Sequence, residues 1–393
     1  MIFYQQKNIY ERLDNVNNYL FAFDNGVYDL KINEFRLPKP EELITTTCGY
    51  NYENITKEIK ENIKFLMKII ESMFSSEAVK DYSLLTIAQC LAGEGSMEKF
   101  YLWKGSGRNG KGTLRDIIMY TFGKYFDTLE IDYLNKTKQG QHANAADDIM
   151  ARKKNVRLVM TTEPDSQINL KTNKLRQWSG KDPIQCRALY GKSFNYVPKF
   201  KLFIQSNYEI SFEGAKGKHL TERLEVLEFP YCFVKNPIQE NEKPIDGEIK
   251  NKLKDPKYKI AFFHLLLKYY NKLQEINTIE LPTEIREQTD LYLIDNDPFG
   301  PFYDDIIEKV SNSTIYVKSS DLFNAFKKYY QGNPKMNTKE FKAALIDKEL
   351  KPTILKGYVI WRGIKINEIK LNKTKEEAIN FDDVEFLGNE NQE

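Results

Sequence analysis

The spacing of apolar residues changes along the chain, and each change predicts a different local structure. Residues 21–30 carry two short apolar pieces around Asn25 and Gly26, a hairpin signal. Over residues 55–74 the apolar positions Ile59, Ile63, Leu66, Ile69 and Ile70 recur at helical spacing. A second helix is expected over 81–91, with Leu84, Leu85, Ala88 and Leu91 on one face and Gly93 and Gly95 stopping it. From about Phe100 to Pro230 the pattern shifts to short β-rich runs at 100–103, 156–160, 202–205 and 224–229, the first three separated by helical stretches. That alternation predicts a mainly parallel sheet with helices on its faces. Residues 258–273 read as a strong helix, and the breakers at 295–301 as a linker. Beyond them come a helix at 320–330, a turn at 332–334, a helix at 338–350 that Asn337 caps with Glu340 completing the box, and a hairpin at 355–361. Helix, turn, helix, hairpin is the outline of a winged helix. The tail from about Lys375 is polar and acidic and is expected to be loose. There is no internal repeat.

Composition narrows the class. The 393 residues suffice for two or three domains, and with 41% hydrophobic and 29% charged residues the chain is a soluble globular protein. Lys and Arg number 58 against 56 acids, a net charge of +2, so any nucleic-acid affinity must come from local clusters. Cys48, Cys90, Cys186 and Cys232 are scattered, without a CxxC pair and beside only three histidines, which argues against zinc and fits a reducing compartment. No signal peptide and no apolar run long enough to span a membrane is evident.

The central chemical signal is the stretch Gly105, Ser106, Gly107, Arg108, Asn109, Gly110, Lys111, Gly112, Thr113, which follows an expected strand and opens an expected helix. Glycines let backbone N–H groups wrap phosphates, and Lys111 would neutralise their charge. The usual pattern places a Mg²⁺-binding hydroxyl directly after the Lys. Here that position is Gly112, and the hydroxyl follows on Thr113, so Thr113 or water would complete the metal shell. A glycine-rich loop that binds nothing is the bland alternative.

Three further positions fit the same chemistry. The strand at 156–160 leads to Glu163, suited to polarise a water; Thr162 stands where a metal-binding acid is often found. The strand at 202–205 leads to Asn207, whose amide can contact both a γ-phosphate and the attacking water. Arg223 precedes the last strand, where an arginine from a neighbouring subunit can stabilise a transferring phosphoryl group. Taken singly, each also suits an ordinary surface residue. Between the acid and the Asn, residues 179–198 interleave Arg187 and Lys192 with Tyr190, Phe194 and Tyr196, a mixture suited to single-stranded nucleic acid or to a hairpin with a packed aromatic face.

In this order the residues resemble the superfamily 3 helicases, in the primase–helicase branch of phages, plasmids, poxviruses and other large DNA viruses. The family's phosphate loop resembles 105–111, its acid strand 156–163, its segment running into an aromatic-x-Pro 179–198, its Asn strand 202–207, and its arginine Arg223. Residues 25–30 resemble the element ahead of the motor, with Tyr28 for Leu, and 320–366 the C-terminal winged helix. The resemblance implies an α/β, AAA+-like P-loop ATPase core at 96–295, a mainly helical N-terminal region at 1–95, a winged-helix-like domain at 302–372 and a tail at 373–393. It further implies ATP and Mg²⁺ as cofactors, with Lys111, Glu163, Asn207 and Arg223 catalytic. Gly105, Gly107, Asn109, Gly110, Lys111, Gly112 and Thr113 would hold nucleotide, Thr113 and Glu163 metal, and Arg187, Lys192 and Phe194 DNA.

The expected activity is an ATP-dependent DNA helicase working as a hexameric ring on single-stranded and forked DNA, in the host cytoplasm or at a viral replication site. The stretch before the motor is too short for a primase, so priming by a separate protein, or a chain that is a fragment, is expected. The competing reading is a nucleotide-gated, DNA-binding initiator or scaffold that scarcely hydrolyses ATP. A packaging or RNA-directed motor is a weaker third.

Overall fold

The computed structural model describes residues 12–94, 98–135, 147–180, 182–187, 189–213, 222–275, 279–311, 314–332 and 336–372. It divides into two compact units, Met1–Asp290 and Leu291–Glu393. The division falls slightly before the boundary expected at 295, and the expected region 1–95 belongs to the same unit as the residues that follow it up to Asp290.

The first unit begins with an antiparallel three-stranded sheet, β1 (Leu20–Phe23), β2 (Gly26–Asp29) and β3 (Glu34–Arg36). Phe23 pairs with Gly26, so the tight turn is Asp24–Asn25, one residue earlier than the Asn-Gly pair suggested. The small sheet opens a region that is otherwise mainly helical, as expected. Two helices come next, α1 (Lys57–Glu71), capped by the Thr56 hydroxyl, and α2 (Glu77–Ala88), capped by Ser76. That Ser76 cap starts α2 four residues ahead of the expected 81.

The central sheet consists of β4 (Phe100–Lys104), β5 (Phe126–Leu129), β6 (Leu158–Thr161), β10 (Lys201–Ser206) and β12 (Leu224–Glu228). Helix α3 (Lys111–Phe122) connects β4 to β5. The sheet order is β12-β4-β10-β6-β5, with every pairing parallel, as the strand–helix alternation predicts. Phe100, Tyr101, Leu102 and Trp103 are all buried, as expected for a parallel strand covered on both faces. Strand β5, Phe-Asp-Thr-Leu, is too short and too polar to announce itself in the sequence. Because β4 lies between two strands from much later in the chain, its C-terminal end is a crevice where α/β folds receive ligands.

Between β6 and β10 the chain adds β7 (Ile168–Lys171), α4 (Thr172–Ser179), and the antiparallel hairpin β8 (Ile184–Arg187) and β9 (Ser193–Tyr196). After β10, β11 (Ile210–Glu213) pairs in parallel with β7. Beyond β12, β13 (Cys232–Val234) and β14 (Glu242–Pro244) lead to the long buried helix α5 (Lys257–Glu275). One apolar core runs from Leu20 through α1, α2 and the central sheet to α5 and Ile285.

The linker expected at 295–301 is helical instead: α6 (Thr283–Asn296) gives way almost at once to α7 (Phe299–Ile306). Pro298 is the N-cap of α7 and Pro301 lies in its first turn, where a missing N–H costs nothing. The second unit continues with β15 (Ile307–Lys309), β16 (Tyr316–Lys318), α8 (Ser319–Tyr329), α9 (Thr338–Asp347), β17 (Pro352–Leu355), β18 (Tyr358–Arg362) and β19 (Ile364–Ile366). The Asn337–Glu340 capping box is present. Helix α9 stops at Asp347 rather than 350 because Glu349 takes φ +65°, with Leu350 N–H returning to Leu345 O at 3.2 Å. Phe302, Phe326, Phe341, Leu345, Trp361 and Ile364 form this unit's own core. The expected turn at 332–334 lies largely, and the tail from 373 wholly, outside the described residues.

Candidate functional site

The loop between β4 and α3 has the backbone a phosphate cradle needs. Gly107 and Gly110 take φ +92° and +89°, and Gly110 is the N-cap of α3. At Gly105 a Cβ would collide with the Asn109 amide and the Phe229 carbonyl, so only glycine fits. Asn109 lies buried beneath the loop, its Oδ1 accepting the Lys111 N–H at 3.4 Å. The first N–H groups of α3 have no partners within the helix, which makes this end electropositive.

Lys111 is almost wholly buried. Its ammonium donates to Gly105 O and Ser206 O, both at 2.9 Å, and to Asn207 Oδ1 at 2.7 Å. Burial pushes its pKa down to about 8, and only the neighbouring Glu163 charge works against that. Those oxygens stand in for the phosphate oxygens that such a cation would otherwise meet. Asn207, just past β10, also donates through Nδ2 to Glu163 Oε2 at 2.5 Å. Glu163, just past β6, is exposed. Residues from three adjacent strand ends are thereby linked as Lys111–Asn207–Glu163, at the C-terminal edge of the sheet.

Thr162 is occupied in another way. Its hydroxyl donates to Glu130 Oε2 at 3.0 Å and accepts from Ile131 N–H at 3.2 Å. The position that often carries a metal-binding acid is thus a fastening between β6 and the end of β5.

Arg223 is not at this edge. It precedes β12, which runs parallel to β4, and its carbonyl accepts from Phe100 N–H at 2.9 Å, at the opposite end of the sheet from the loop. The strands put roughly 15 Å between those ends. Its guanidinium pairs with Glu98 and donates to Arg176 O at 2.7 Å and Ser179 Oγ at 3.2 Å, the last turn of α4.

The hairpin places Lys192 exposed near its tip and pairs Arg187 with Ser193. Arg187 is half-buried, and its Nε is buried without a hydrogen-bond partner among the described residues. Phe194 is half-buried in contact with Tyr196, which is itself buried and donates to Met150 O at 2.7 Å. The ring most open to a ligand is Tyr190, 99% exposed and at φ +60°.

Residues 11–75 match the family described as "D5 N terminal like". Over 334 residues the chain is 29% identical to "Putative helicase L207/L206" of Acanthamoeba polyphaga mimivirus, covering 83% of this chain and 34% of that protein. It is also 25% identical over 384 residues to "Putative primase C962R" of African swine fever virus (isolate Warthog/Namibia/Wart80/1980), covering 93% of this chain and 38% of that protein. Over most of its length the chain is similar to these putative helicases and primases, and its N-terminal part matches the D5-like family model. The chain spans about a third of the length of these curated relatives. Among solved structures it is similar to the apo C-terminal region of NrS-1, with TM-score 0.43 and 13% identity over 81% of this chain and 80% of that one.

The matched segment is packed into the central sheet. Arg157, at the entrance to β6, is fully buried; it donates to Leu20 O at 2.5 Å and to Leu91 O, and its guanidinium lies 4.2 Å from the Tyr125 ring centroid. Met73, just beyond α1, packs beneath the phosphate loop, where a Cβ on Gly110 would meet its Cγ at 2.7 Å. Sequence reasoning missed both residues, since neither carries a motif. Among the described residues no helix is long and apolar enough to cross a membrane.

Proposed function

We propose that this D5-like chain is the ATP-hydrolysing motor of a DNA helicase for viral or mobile-element replication, active as a hexameric ring. The observation that carries the reading is the Lys111–Asn207–Glu163 chain at the mouth of a loop shaped by Gly105, Gly107 and Gly110.

Lys111 and the N–H groups of the loop bind the ATP phosphates. Thr113 and Glu163 are hard oxygen donors of the kind Mg²⁺ accepts alongside phosphates and water, and that ion would supply charge neutralisation on the transferring group. Glu163 orients a water and takes its proton as the water oxygen attacks the γ-phosphorus. The bond from that phosphorus to the β–γ bridging oxygen breaks, releasing ADP and phosphate. Asn207 reports between them: when Lys111 turns to phosphate, its amide is free to contact the γ-phosphate while still holding Glu163.

Arg223 is too far along the sheet to serve its own nucleotide, which supports its use on a neighbouring subunit's ATP. The hairpin, joined to the acid strand and the Asn strand, carries DNA on Lys192, Arg187 and its aromatic residues, Phe194 among them. The second unit, with its α8–α9 pair and β17–β18 hairpin, fits a winged-helix role on duplex DNA or on a partner such as a separate primase.

Steady-state ATPase with and without single-stranded DNA tests this. DNA-stimulated hydrolysis that vanishes in Lys111→Ala and in Glu163→Gln is expected; wild-type turnover in Glu163→Gln would overturn the assignment. The engaged hydroxyl of Thr162 favours the second reading, a nucleotide-gated initiator. Tight nucleotide binding without turnover, at any DNA or protein concentration, would select it.

A further inference from the structure

Two features of the loop stay unexplained by the reading above. The first is Gly112. It sits in the first turn of α3 without a positive φ, so its backbone does not require glycine. A Cβ built there would meet no backbone and no core; the atom in reach is Lys250 Nζ, at 3.8 Å. The second feature is Lys250 itself. Its ammonium has no hydrogen bond or ion pair among the described residues, yet it stands beside the electropositive start of a helix that already presents Lys111.

Lys250 is exposed, but the backbone that carries it is fixed. It lies on the short helical turn Ile249–Lys252, in the segment that returns across the phosphate loop after β12. That segment is fastened at several points. Phe233 N–H donates to Arg108 O at 2.7 Å, inside the loop itself. Lys243 donates to Ser72 O at 2.8 Å. Asp246 accepts from Glu248 N–H at 2.9 Å and pairs with Lys252 at 3.2 Å, while Leu253 is buried and Ile249 packs on the main core. Neighbouring lysines are engaged elsewhere: Lys252 with Asp246, Lys254 with Asn251 at 3.3 Å.

We propose that Lys250, whose ammonium lies beside Gly112 in the first turn of α3, is a second phosphate-binding cation. The inference rests on the phosphate loop being a nucleotide site. A side chain at position 112 would lie in contact with the Lys250 ammonium, 3.8 Å from its Cβ.

The test is a titration of the full chain with a fluorescent ATP analogue, then competition with unlabelled ATP, ADP and AMP. Lys250→Ala should weaken ATP binding about tenfold or more, the usual scale for losing a charge-assisted contact. Lys250→Arg should hold most of the affinity, and Lys254→Ala should leave it unchanged. Gly112→Leu, which fills the space beside the Lys250 ammonium, should weaken ATP in wild type and add little to Lys250→Ala. A loss shared by ATP and ADP assigns the contact to the α- or β-phosphate; a loss confined to ATP assigns it to the γ-phosphate. Wild-type affinity for both nucleotides in Lys250→Ala, with an unchanged melting temperature, overturns the proposal. Failure of the wild-type chain to bind any nucleotide would instead overturn the reading of the loop beneath it.

Discussion

The amide nitrogen of Asn207 sits 2.5 Å from the Glu163 carboxylate, joining the ends of two adjacent parallel strands. The amide oxygen of the same side chain accepts from Lys111, so on the proposed reading a change at bound phosphate reaches the acid through this one side chain. Asn207→Ala should therefore lower hydrolysis on the order of 10²-fold while changing nucleotide affinity by less than about tenfold. Single-turnover hydrolysis beside equilibrium binding checks it; a loss confined to binding would refute the relay.

The burial that lowers the Lys111 pKa to about 8 makes nucleotide binding pH-dependent, with a definite sign. Phosphate favours the ammonium, so binding above that pH takes up a proton. Affinity should be level up to about pH 8, then fall by roughly tenfold per pH unit. Lys111→Arg, charged throughout, should remove that slope if it still binds. Calorimetry in buffers of different ionisation enthalpy measures the proton uptake directly.

Arg223 is engaged within its own chain by Glu98 and the end of α4, so reaching a neighbour's nucleotide means exchanging those partners. Arg223→Ala should bind ATP normally yet lose turnover on the order of 10³-fold. Mixing it with Glu163→Gln should restore part of the activity through hybrid boundaries. Full turnover from a proven monomer of the wild-type chain would exclude this role.

At the hairpin, Lys192→Ala should reduce the salt dependence of single-strand binding by about one counterion and uncouple DNA from ATPase. Tyr190→Ala should cost about 1–3 kcal/mol of single-strand affinity, the usual value of a stacking ring. Phe194→Ala should cost less on DNA and more in melting temperature, because that ring already contacts Tyr196. An unaltered salt slope in Lys192→Ala would remove the hairpin from the DNA path.

Strand ends were legible in the sequence because an apolar run leading to a polar side chain is a local pattern: Glu163, Asn207 and the loop around Lys111 could be found without tertiary information. The buried strand β4 was visible for the same reason. What the sequence hid depends on distant partners. Lys250 looks like any solvated lysine between Ile249 and Asn251, and only the return of the chain over Gly112 gives it meaning. Tyr190 and Phe194 look alike as aromatics in a basic stretch; exposure separates them. The breakers at 295–301 misled because proline is benign at a helix start.

Arg157 spends its guanidinium on the carbonyls of Leu20 and Leu91, deep beneath the central sheet. Replacing it by methionine would strand two buried acceptors, at about 1–3 kcal/mol each. The consequence is modularity lost: the D5-like segment cannot be exchanged between relatives as a cassette, because its first strand and the acid-bearing strand melt together. In a calorimeter, residues 12–290 should show one transition rather than two, and Arg157→Met should lower that transition as a whole instead of splitting it.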